Sequence, residues 1–327
     1  MMKLHENPEL FSDAILATAD FKNIREIYIE KDYWVTLALH MIFHSDYKDV
    51  AVFKGGTALS KCHELIKRFS EDVDIVVVRG EGESDSQLSK KIKAISKLVI
   101  DVLPEKNIDG ITSKHGQFRK TAHEFDSAFD EDYGQVRQDI ILEISSLGNF
   151  EPYTNETVSC FISEMMMERG QENLIEQYGL TPFNVQVLSK NRTLCEKIMS
   201  LVRFSRTEEP YVDLANKIRH IYDIHALLND PKTEEFFKED NFEEMINAVG
   251  KDDVMSYRSG TDWLTEHPKT ALIYSNPNET WEQLRGTYNS TFKDLVFGAL
   301  PDEPDLIATL KKVFQRLSEI SWGLEEK

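Results

Sequence analysis

Hydrophobic residues in the first fifty positions recur at helical spacing. Phe11, Ala14 and Ile15 form one such group, and Trp34 with Leu37 begins another. Four later segments are instead rich in β-branched residues, which is typical of strands. These predicted strands cover residues 50–53, 73–78, 138–144 and 185–188. The sequence therefore predicts a helical start followed by a region that contains a sheet.

Helical periodicity also appears between and after the strands. Residues 57–68 and 87–102 are predicted helices, so helices and strands mix in an α+β core with a small sheet. From Thr193 onward strand signals are few, and a last helix is expected to begin at Asp302. We therefore divide the chain into an N-terminal helical segment packed on the core (1–48), the core itself (49–190) and a helical domain (191–327).

The composition is that of a folded protein without a membrane span. Of 327 residues, 41% are hydrophobic and 10% aromatic, which suffices for a core. The N-terminus shows no signal-peptide pattern, and no apolar run approaches the ~18 residues that a membrane span needs. Cys62, Cys160 and Cys195 show no Cys-x-x-Cys spacing, which argues against a disulfide framework or a zinc site. These features predict a cytoplasmic protein.

The formal net charge of −19 limits the possible partners. A strongly acidic chain does not coat nucleic acid through its phosphates, so broad DNA binding is excluded. The charge is uneven, because residues 190–219 carry seven Lys/Arg against four Asp/Glu. This basic strip is a candidate surface for a triphosphate or for the end of an RNA.

Candidate chemistry begins with a glycine turn that precedes a predicted helix. The turn reads Lys54-Gly55-Gly56-Thr57. Glycine lets the backbone approach a ligand closely, and backbone amides at a helix N-terminus favour a phosphate. The sequence therefore predicts a phosphate-binding turn here.

Paired carboxylates follow this turn at the start of a predicted strand. Asp72 and Asp74 are two residues apart, so they share one strand face at roughly 6–7 Å along the strand. Glu143 interrupts the apolar run of the third predicted strand and is our choice for a third carboxylate, with Asp139 as its rival or supporting partner. Three such carboxylates are suited to two Mg²⁺ ions on a triphosphate.

Five sequence blocks occur in a fixed order along the chain. The blocks are residues 29–35 (IEKDYWV), 54–57 (KGGT), 70–74 (SEDVD), 192–197 (RTLCEK) and 219–223 (RHIYD). Together they resemble the AbiEii/AbiGii family of nucleotidyltransferase toxins. The resemblance implies a polymerase-β-like nucleotidyltransferase core followed by a helical domain, in the toxin half of a toxin-antitoxin or phage-exclusion system. It also implies a cognate antitoxin.

The resemblance assigns roles to residues in the later blocks. Lys197 matches a lysine that holds nucleotide phosphates, and Arg219 with Asp223 matches a final motif in which Asp223 orients Lys197 or the nucleotide. Without the resemblance, Lys197 reads as a surface lysine and Arg219–Asp223 as a surface ion pair at i, i+4 spacing. The full set of expected nucleotide-binding residues is Lys54, Gly55, Gly56, Thr57, Ser70, Lys197 and Arg219.

One upstream block has an ambiguous role. Glu30, Lys31 and Asp32 are predicted to lie at a helix beginning, where acidic residues complement the helix dipole. A structural cap, an inter-domain brace and a substrate contact are equally good interpretations of these charges.

The expected activity is Mg²⁺-dependent transfer of a nucleoside monophosphate from an NTP to an RNA, at the 3′ end of transfer RNA, which would block translation. Asp72, Asp74 and Glu143 are the expected metal ligands, with Lys197 and Asp223 as further catalytic residues. Two alternatives stay open at this point. The acceptor hydroxyl belongs to a protein or a small molecule, or the chain is a regulatory module that binds NTP without turning it over.

Overall fold

The computed structural model describes residues 1–129, 136–146, 151–257 and 260–324. Two units divide the chain. The first, which we call the sheet unit, comprises Met1–Glu64 and Phe69–Leu188. The second, the helical unit, comprises Leu65–Arg68 and the residues from Ser189 onward. A four-residue segment that lies in the sequence between parts of the sheet unit therefore belongs to the helical unit.

The sheet unit begins with two helices, α1 (Pro8–Lys22) and α2 (Glu26–Phe43). Asn7 caps α1 by accepting a hydrogen bond from the Leu10 amide, and α1 ends where Asn23 adopts a left-handed conformation. All positions of α2 from Ile27 to Leu39 are buried, including charged ones. The predicted helical start is confirmed, and α2 is a central helix of this unit.

The sheet is mixed, and the described part of the chain contributes eight strands to it. Its order is β3-β5-β6-β2-β1-β8-β7, with β4 paired to β5. β2 runs antiparallel to β1 and parallel to β6, and β1 runs parallel to β8. The α+β class with a mixed sheet is confirmed. The strands are β1 (Ala51–Lys54), β2 (Asp72–Val77), β3 (Glu105–Lys106), β4 (Ser113–His115), β5 (Phe118–His123), β6 (Ile140–Ser145), β7 (Tyr153–Val158) and β8 (Phe183–Leu188).

Four strands were predicted and four were not. The predicted segments correspond to β1, β2, β6 and β8, whose buried residues are mostly β-branched or leucine. β5 and β7 escaped prediction because their sequences, FRKTAH and YTNETV, are polar and half-exposed. Such strands are recognised by their pairing with neighbours, which a sequence pattern does not display.

Within the described ranges, four further α-helices belong to the sheet unit. The predicted helix at 57–68 is too long, because the observed helix ends at Lys61. In the next helix, Ser84 and Gln87 form a capping box and Leu88, Ile92 and Ile95 are buried. These helices are α3 (Gly55–Lys61), α4 (Asp85–Lys97), α5 (Phe161–Glu168) and α6 (Glu172–Tyr178).

The helical unit consists of helices after Ser189, as predicted. Its core includes Leu194, Ile198 and Leu201 on one helix and Ile221 and Ile224 on another. No helix among the described residues is long and apolar enough to span a membrane. The helices are α7 (Lys190–Phe204), α8 (Pro210–Asn216), α9 (Ile218–Leu228), α10 (Pro231–Lys238), α11 (Asp240–Tyr257), α12 (Leu272–Ser275), α13 (Pro277–Thr287) and α14 (Glu303–Glu319).

Backbone hydrogen bonds connect the segment Leu65–Arg68 to the rest of the helical unit. The Lys67 carbonyl accepts from the amides of Phe297 (3.0 Å) and Gly298 (3.2 Å), and Arg68 forms a β-bridge with Val296. The Lys67 amide donates to the Tyr222 hydroxyl at 3.2 Å. These bonds fix the backbone around Arg68.

Candidate active site

Four charged residues form a row across adjacent strands of the sheet. Asp74 on β2 is the register partner of Glu143 on β6. Lys54 on β1 lies opposite Asp74, and Lys120 on β5 lies opposite Glu143. Register partners project to the same face of a sheet, so the row reads lysine, carboxylate, carboxylate, lysine on one face. The structure thus brings Asp74 and Glu143 together, as the sequence interpretation required.

Asp72 adds a third carboxylate to this face. It precedes Asp74 by two residues, and the alternation of burial along β2 puts both on the more exposed face. The Asp72 Oδ1 atom is buried and has no hydrogen-bond partner among the residues that the structure describes, and Arg137 Nη1 lies 3.5 Å away, beyond good hydrogen-bond geometry. Asp72 therefore carries an acceptor atom that its surroundings leave unsatisfied.

The electrostatic environment of Asp74 favours a cation. Burial raises the pKa of Asp74 to about 7, and the charges of Glu143 and Asp72 act in the same direction. The charges of Lys54 and Lys120 partly oppose this rise. A divalent cation would relieve the repulsion among the three carboxylates.

The donor set fits a hard divalent cation such as Mg²⁺, since it consists of carboxylate oxygens and includes the unsatisfied Asp72 Oδ1. In the described ranges, however, no three His, Cys or acidic side chains converge into a ready-made metal site. Glu143 instead accepts a hydrogen bond from Lys120 Nζ at 3.2 Å. The rival Asp139 lies 3.3 Å from Lys106 Nζ, and it is Glu143 that stands opposite Asp74.

The first glycine of the turn is required by its surroundings. Gly55 has a φ of +82°, a conformation that side chains rarely adopt. A Cβ at this position would lie 2.2 Å from Asp74 Oδ2. The backbone of the turn therefore approaches the Asp74 carboxylate as closely as only glycine permits, and Gly56 follows in the first turn of α3.

Thr57 connects this turn to the carboxylate strand. Its buried hydroxyl donates to the Asp72 carbonyl at 2.6 Å and lies 3.0 Å from the Ser70 hydroxyl. The side chain is thus engaged within the protein and fixes the start of β2. Ser70 itself is partly exposed next to the carboxylates.

A buried ion pair supports the same strand from α2. Lys31 Nζ lies 2.6 Å from Glu71 Oε2 and 3.1 Å from the Asp139 carbonyl oxygen, and it also donates to the Arg137 carbonyl. The Glu71 carboxylate in turn accepts from the Arg137 amide. Lys31 therefore holds the residues that adjoin Asp72 and Asp139 in the chain.

Glu30 and Asp32, the neighbours of Lys31, are also buried and bind segments that are distant in the sequence. Glu30 accepts from the Ala128 amide, and Asp32 pairs with Lys61 at 2.5 Å while accepting from the Phe161 amide. The prediction that these residues lie at a helix beginning is wrong, because α2 starts at Glu26. Their partners lie far away in the sequence, which is why the pattern did not reveal them.

A second cluster lies in the helical unit around Asp223, which is fully buried on α9. Arg68 Nε and Nη2 donate to Asp223 Oδ1 and Oδ2, both at 2.7 Å, and Lys197 Nζ lies 2.7 Å from Oδ2. Burial alone would raise the pKa of Asp223, but the charges of Arg68 and Lys197 hold it well below its usual range. The ionised Asp223 carboxylate thus pairs with two cations, Arg68 and Lys197.

This geometry changes the interpretation of the later motifs. Lys197 and Asp223 are buried, so the readings as a surface lysine and a surface ion pair are wrong. Arg219 lies on α9 and is partly exposed. Sequence reasoning missed Arg68, which is 155 residues from Asp223 and carries no local signal beyond its place before Ser70.

Most of the chain matches a known protein family. The family model of the nucleotidyl transferase AbiEii toxin, of type IV toxin-antitoxin systems, matches residues 37–316. The chain belongs to this AbiEii family. It is therefore a nucleotidyltransferase toxin, and the family resemblance inferred from the five blocks is confirmed. Family membership implies an NTP substrate and an antitoxin partner.

A solved structure agrees with the AbiEii fold. The chain is similar to MenT4, a nucleotidyltransferase toxin from Mycobacterium tuberculosis H37Rv, with a TM-score of 0.55 and 16% sequence identity. The similarity covers 94% of this chain and 90% of MenT4. At this identity the likeness shows the fold. A search of curated proteins found no match.

The basic strip of this AbiEii toxin is largely neutralised by its own neighbours. Lys190 pairs with Asp230 and Arg192 with Asp252, each at 2.5 Å, and Arg206 lies 3.4 Å from Glu266. Internal ion pairs leave less positive charge for a long polyanion. The strip is therefore a weaker argument for RNA than its composition suggested.

Proposed function

We propose that this toxin transfers a nucleoside monophosphate from an NTP to the 3′-terminal hydroxyl of a transfer RNA and thereby blocks translation. An acceptor oxygen attacks the α-phosphorus, and the bond to the pyrophosphate group breaks. The pairing of Asp74 with Glu143 on adjacent strands, with Asp72 on the same face, carries the proposal.

Several residues of the sheet unit have a defined part in this reaction. Asp72, Asp74 and Glu143 would hold two Mg²⁺ ions, which would neutralise triphosphate charge and lower the pKa of the acceptor hydroxyl. Gly55 lies against Asp74 Oδ2, and the family resemblance implies that the turn formed by Gly55 and Gly56 binds the triphosphate. Thr57 and Ser70 keep the start of β2 in place.

The family resemblance implies phosphate-binding roles for Lys197 and Arg219. The cluster of Arg68, Lys197 and Asp223 holds two cations and one carboxylate, which leaves an excess of one positive charge. Asp223 fixes Lys197, and Lys197 binds a phosphate oxygen, as the family resemblance implies. Arg219 is a second candidate for phosphate contact from the same unit.

A protein or small-molecule hydroxyl is the second candidate acceptor. The net charge of −19 and the internally paired basic strip both favour it, because a transfer RNA has to approach against long-range repulsion. The same catalytic residues serve either acceptor, so only the acceptor distinguishes the two candidates.

A transfer assay tests the proposal. The purified toxin is incubated with total transfer RNA, Mg²⁺ and each α-labelled NTP in turn, beside Asp72→Asn and Asp74→Asn variants. We expect label on RNA with the wild type and none with either variant. Asp49→Asn removes an exposed carboxylate just before β1 and serves as the matched control, with full transfer expected.

The remaining outcomes separate the alternatives. Label on protein or on small molecules of a cell extract, with none on RNA, selects the second acceptor. Tight NTP binding without pyrophosphate release in any mixture would support a regulatory module. Undiminished transfer by folded Asp74→Asn would contradict the assignment of the catalytic carboxylates.

A further inference from the structure

Lys120 lies at one end of the charged row, and no sequence motif pointed to it. It lies on β5, directly opposite Glu143, and its Nζ is 3.2 Å from Glu143 Oε2. The Lys120 side chain is 29% exposed, and the Glu143 side chain is 31% exposed. This ion pair is accessible to solvent, so it is weak and open to exchange.

Lys31, a further lysine near the carboxylates, is held differently. It is fully buried and contacts Glu71 and two backbone carbonyls, so it has no freedom to move. Lys120 has a single described carboxylate partner, Glu143, at the edge of the carboxylate group. Unlike Lys31, Lys120 can therefore change partner.

We propose that Lys120 is a substrate-binding residue that changes partner during loading of the site: it neutralises Glu143 before the metal binds and contacts the triphosphate of the NTP afterwards. This inference rests on the proposed function, because it takes Glu143 as a metal ligand. Nothing in the motif resemblance assigns a role to this lysine.

Charge balance supports the exchange. In the row itself, two lysines face two carboxylates and the charges cancel. Two divalent cations bring four positive charges to Asp72, Asp74 and Glu143, which then no longer need a lysine as counter-ion. Lys120 is released beside a site that has become positive, where the highly negative triphosphate binds.

The proposal predicts effects of opposite sign on two ligands. A lysine that competes with the metal for Glu143 weakens metal binding, whereas a lysine that contacts the triphosphate strengthens NTP binding. Removal of Lys120 should therefore tighten metal binding and weaken NTP binding. A purely structural lysine would weaken both or neither.

The experiment measures binding of Mn²⁺ alone, by electron paramagnetic resonance, and binding of ATP, GTP, CTP and UTP in turn with Mg²⁺ and no acceptor. For Lys120→Met we expect Mn²⁺ to bind about threefold more tightly, the scale of a partly exposed ion pair. We expect the preferred NTP to bind about tenfold more weakly, the scale of one charge-assisted hydrogen bond. Lys120→Arg should retain NTP binding.

Lys106→Met is the matched control. Lys106 forms a comparable ion pair with Asp139 at 3.3 Å in the same sheet unit, and it is not opposite Asp74 or Glu143. We expect wild-type binding of both ligands. If Lys106→Met rather than Lys120→Met tightens Mn²⁺ binding, Asp139 is the third metal ligand and the role of Lys120 is overturned.

The results distinguish this inference from the function on which it rests. A wild type that binds Mn²⁺ and NTP, together with folded Lys120→Met and Lys120→Gln variants that bind both equally well, overturns the role of Lys120 alone. A wild type that binds no Mn²⁺ overturns the proposed metal site and this role with it.

Discussion

Arg68 binds Asp223 through two parallel hydrogen bonds of 2.7 Å, and neither side chain is appreciably exposed. Lys197 shares the Asp223 Oδ2 atom at the same distance. A bidentate arginine fixes the plane of a carboxylate, which a single lysine does not. Arg68 thus determines where Asp223, and through it Lys197, is placed in the helical unit.

Removal of Arg68 should destabilise the protein strongly. Arg68→Ala leaves Asp223 buried with one cation, and breaking a buried pair in this way costs about 3–5 kcal/mol of unfolding free energy. Arg68→Lys keeps the charge but loses the second hydrogen bond, so an intermediate loss is expected. Urea unfolding at pH 7 measures both. Arg285→Ala, which removes exposed ion pairs from the same unit, should have a clearly smaller effect; an equal loss would contradict the role given to Arg68.

The Asp223 cluster also predicts how stability depends on pH. Because Arg68 and Lys197 lower the pKa of Asp223 in the folded state, folding favours its ionised form. This contribution is complete above the unfolded pKa of roughly 3.9 and is lost as the pH falls toward the folded pKa. The stability difference between wild type and Asp223→Asn should therefore be constant above about pH 5 and shrink below about pH 4. Thermal unfolding from pH 3 to 7 tests this, and a difference that grows toward low pH would have the wrong sign.

Gly55→Ala should lower the rate of transfer about a hundredfold by displacing Asp74. The new Cβ would lie 2.2 Å from Asp74 Oδ2, so the carboxylate or the turn has to move. A displacement of about 1 Å at a reacting centre can lower the rate about a hundredfold. Gly82→Ala is the matched control, since Gly82 also has a positive φ of +72° but nothing lies within 4 Å of its Cβ position. Transfer rates and Mn²⁺ affinity of both variants decide whether close approach, rather than backbone strain, is what requires glycine at 55.

Lys31 and Glu71 should be strongly coupled. Lys31→Met leaves the buried Glu71 carboxylate without its cation, and a loss of about 3–5 kcal/mol is expected. Glu71→Gln removes the charge that Lys31 neutralises, so the double variant should lose less than the sum of the single variants. We expect a coupling free energy of about 1–3 kcal/mol from urea unfolding of the complete cycle. Additive losses would show that the two side chains act independently.

The strands that carry the carboxylates were predictable because their sequence signals are local. The β-branched runs at 50–53 and 73–78 and the carboxylates Asp72 and Asp74 are readable from short stretches of sequence. Even the choice of Glu143 followed from one acidic residue in an apolar run, and the register places it opposite Asp74. Short-range pattern therefore indicated the core of the sheet and its carboxylate face.

The supporting residues were not predictable because their partners are distant. Lys31 meets Glu71 across 40 residues, and Arg68 meets Asp223 across 155. Lys120 lies on a strand whose polar sequence gives no strand signal, so its position opposite Glu143 was hidden as well. These contacts depend on the pairing of distant segments, and the periodicity of a sequence does not show which segments pair.

The assignment of Leu65–Arg68 to the helical unit has a consequence for how the chain is made. A ribosome synthesises Arg68 long before Asp223 and the Val296–Gly298 stretch that receives its backbone. We expect nascent chains that end before residue 223 to hold Arg68 without its carboxylate and to lack an ordered helical unit. The Arg68–Asp223 ion pair therefore forms only after residue 223 has been synthesised, and the placement of Lys197 by Asp223 is a late event in the formation of the folded protein.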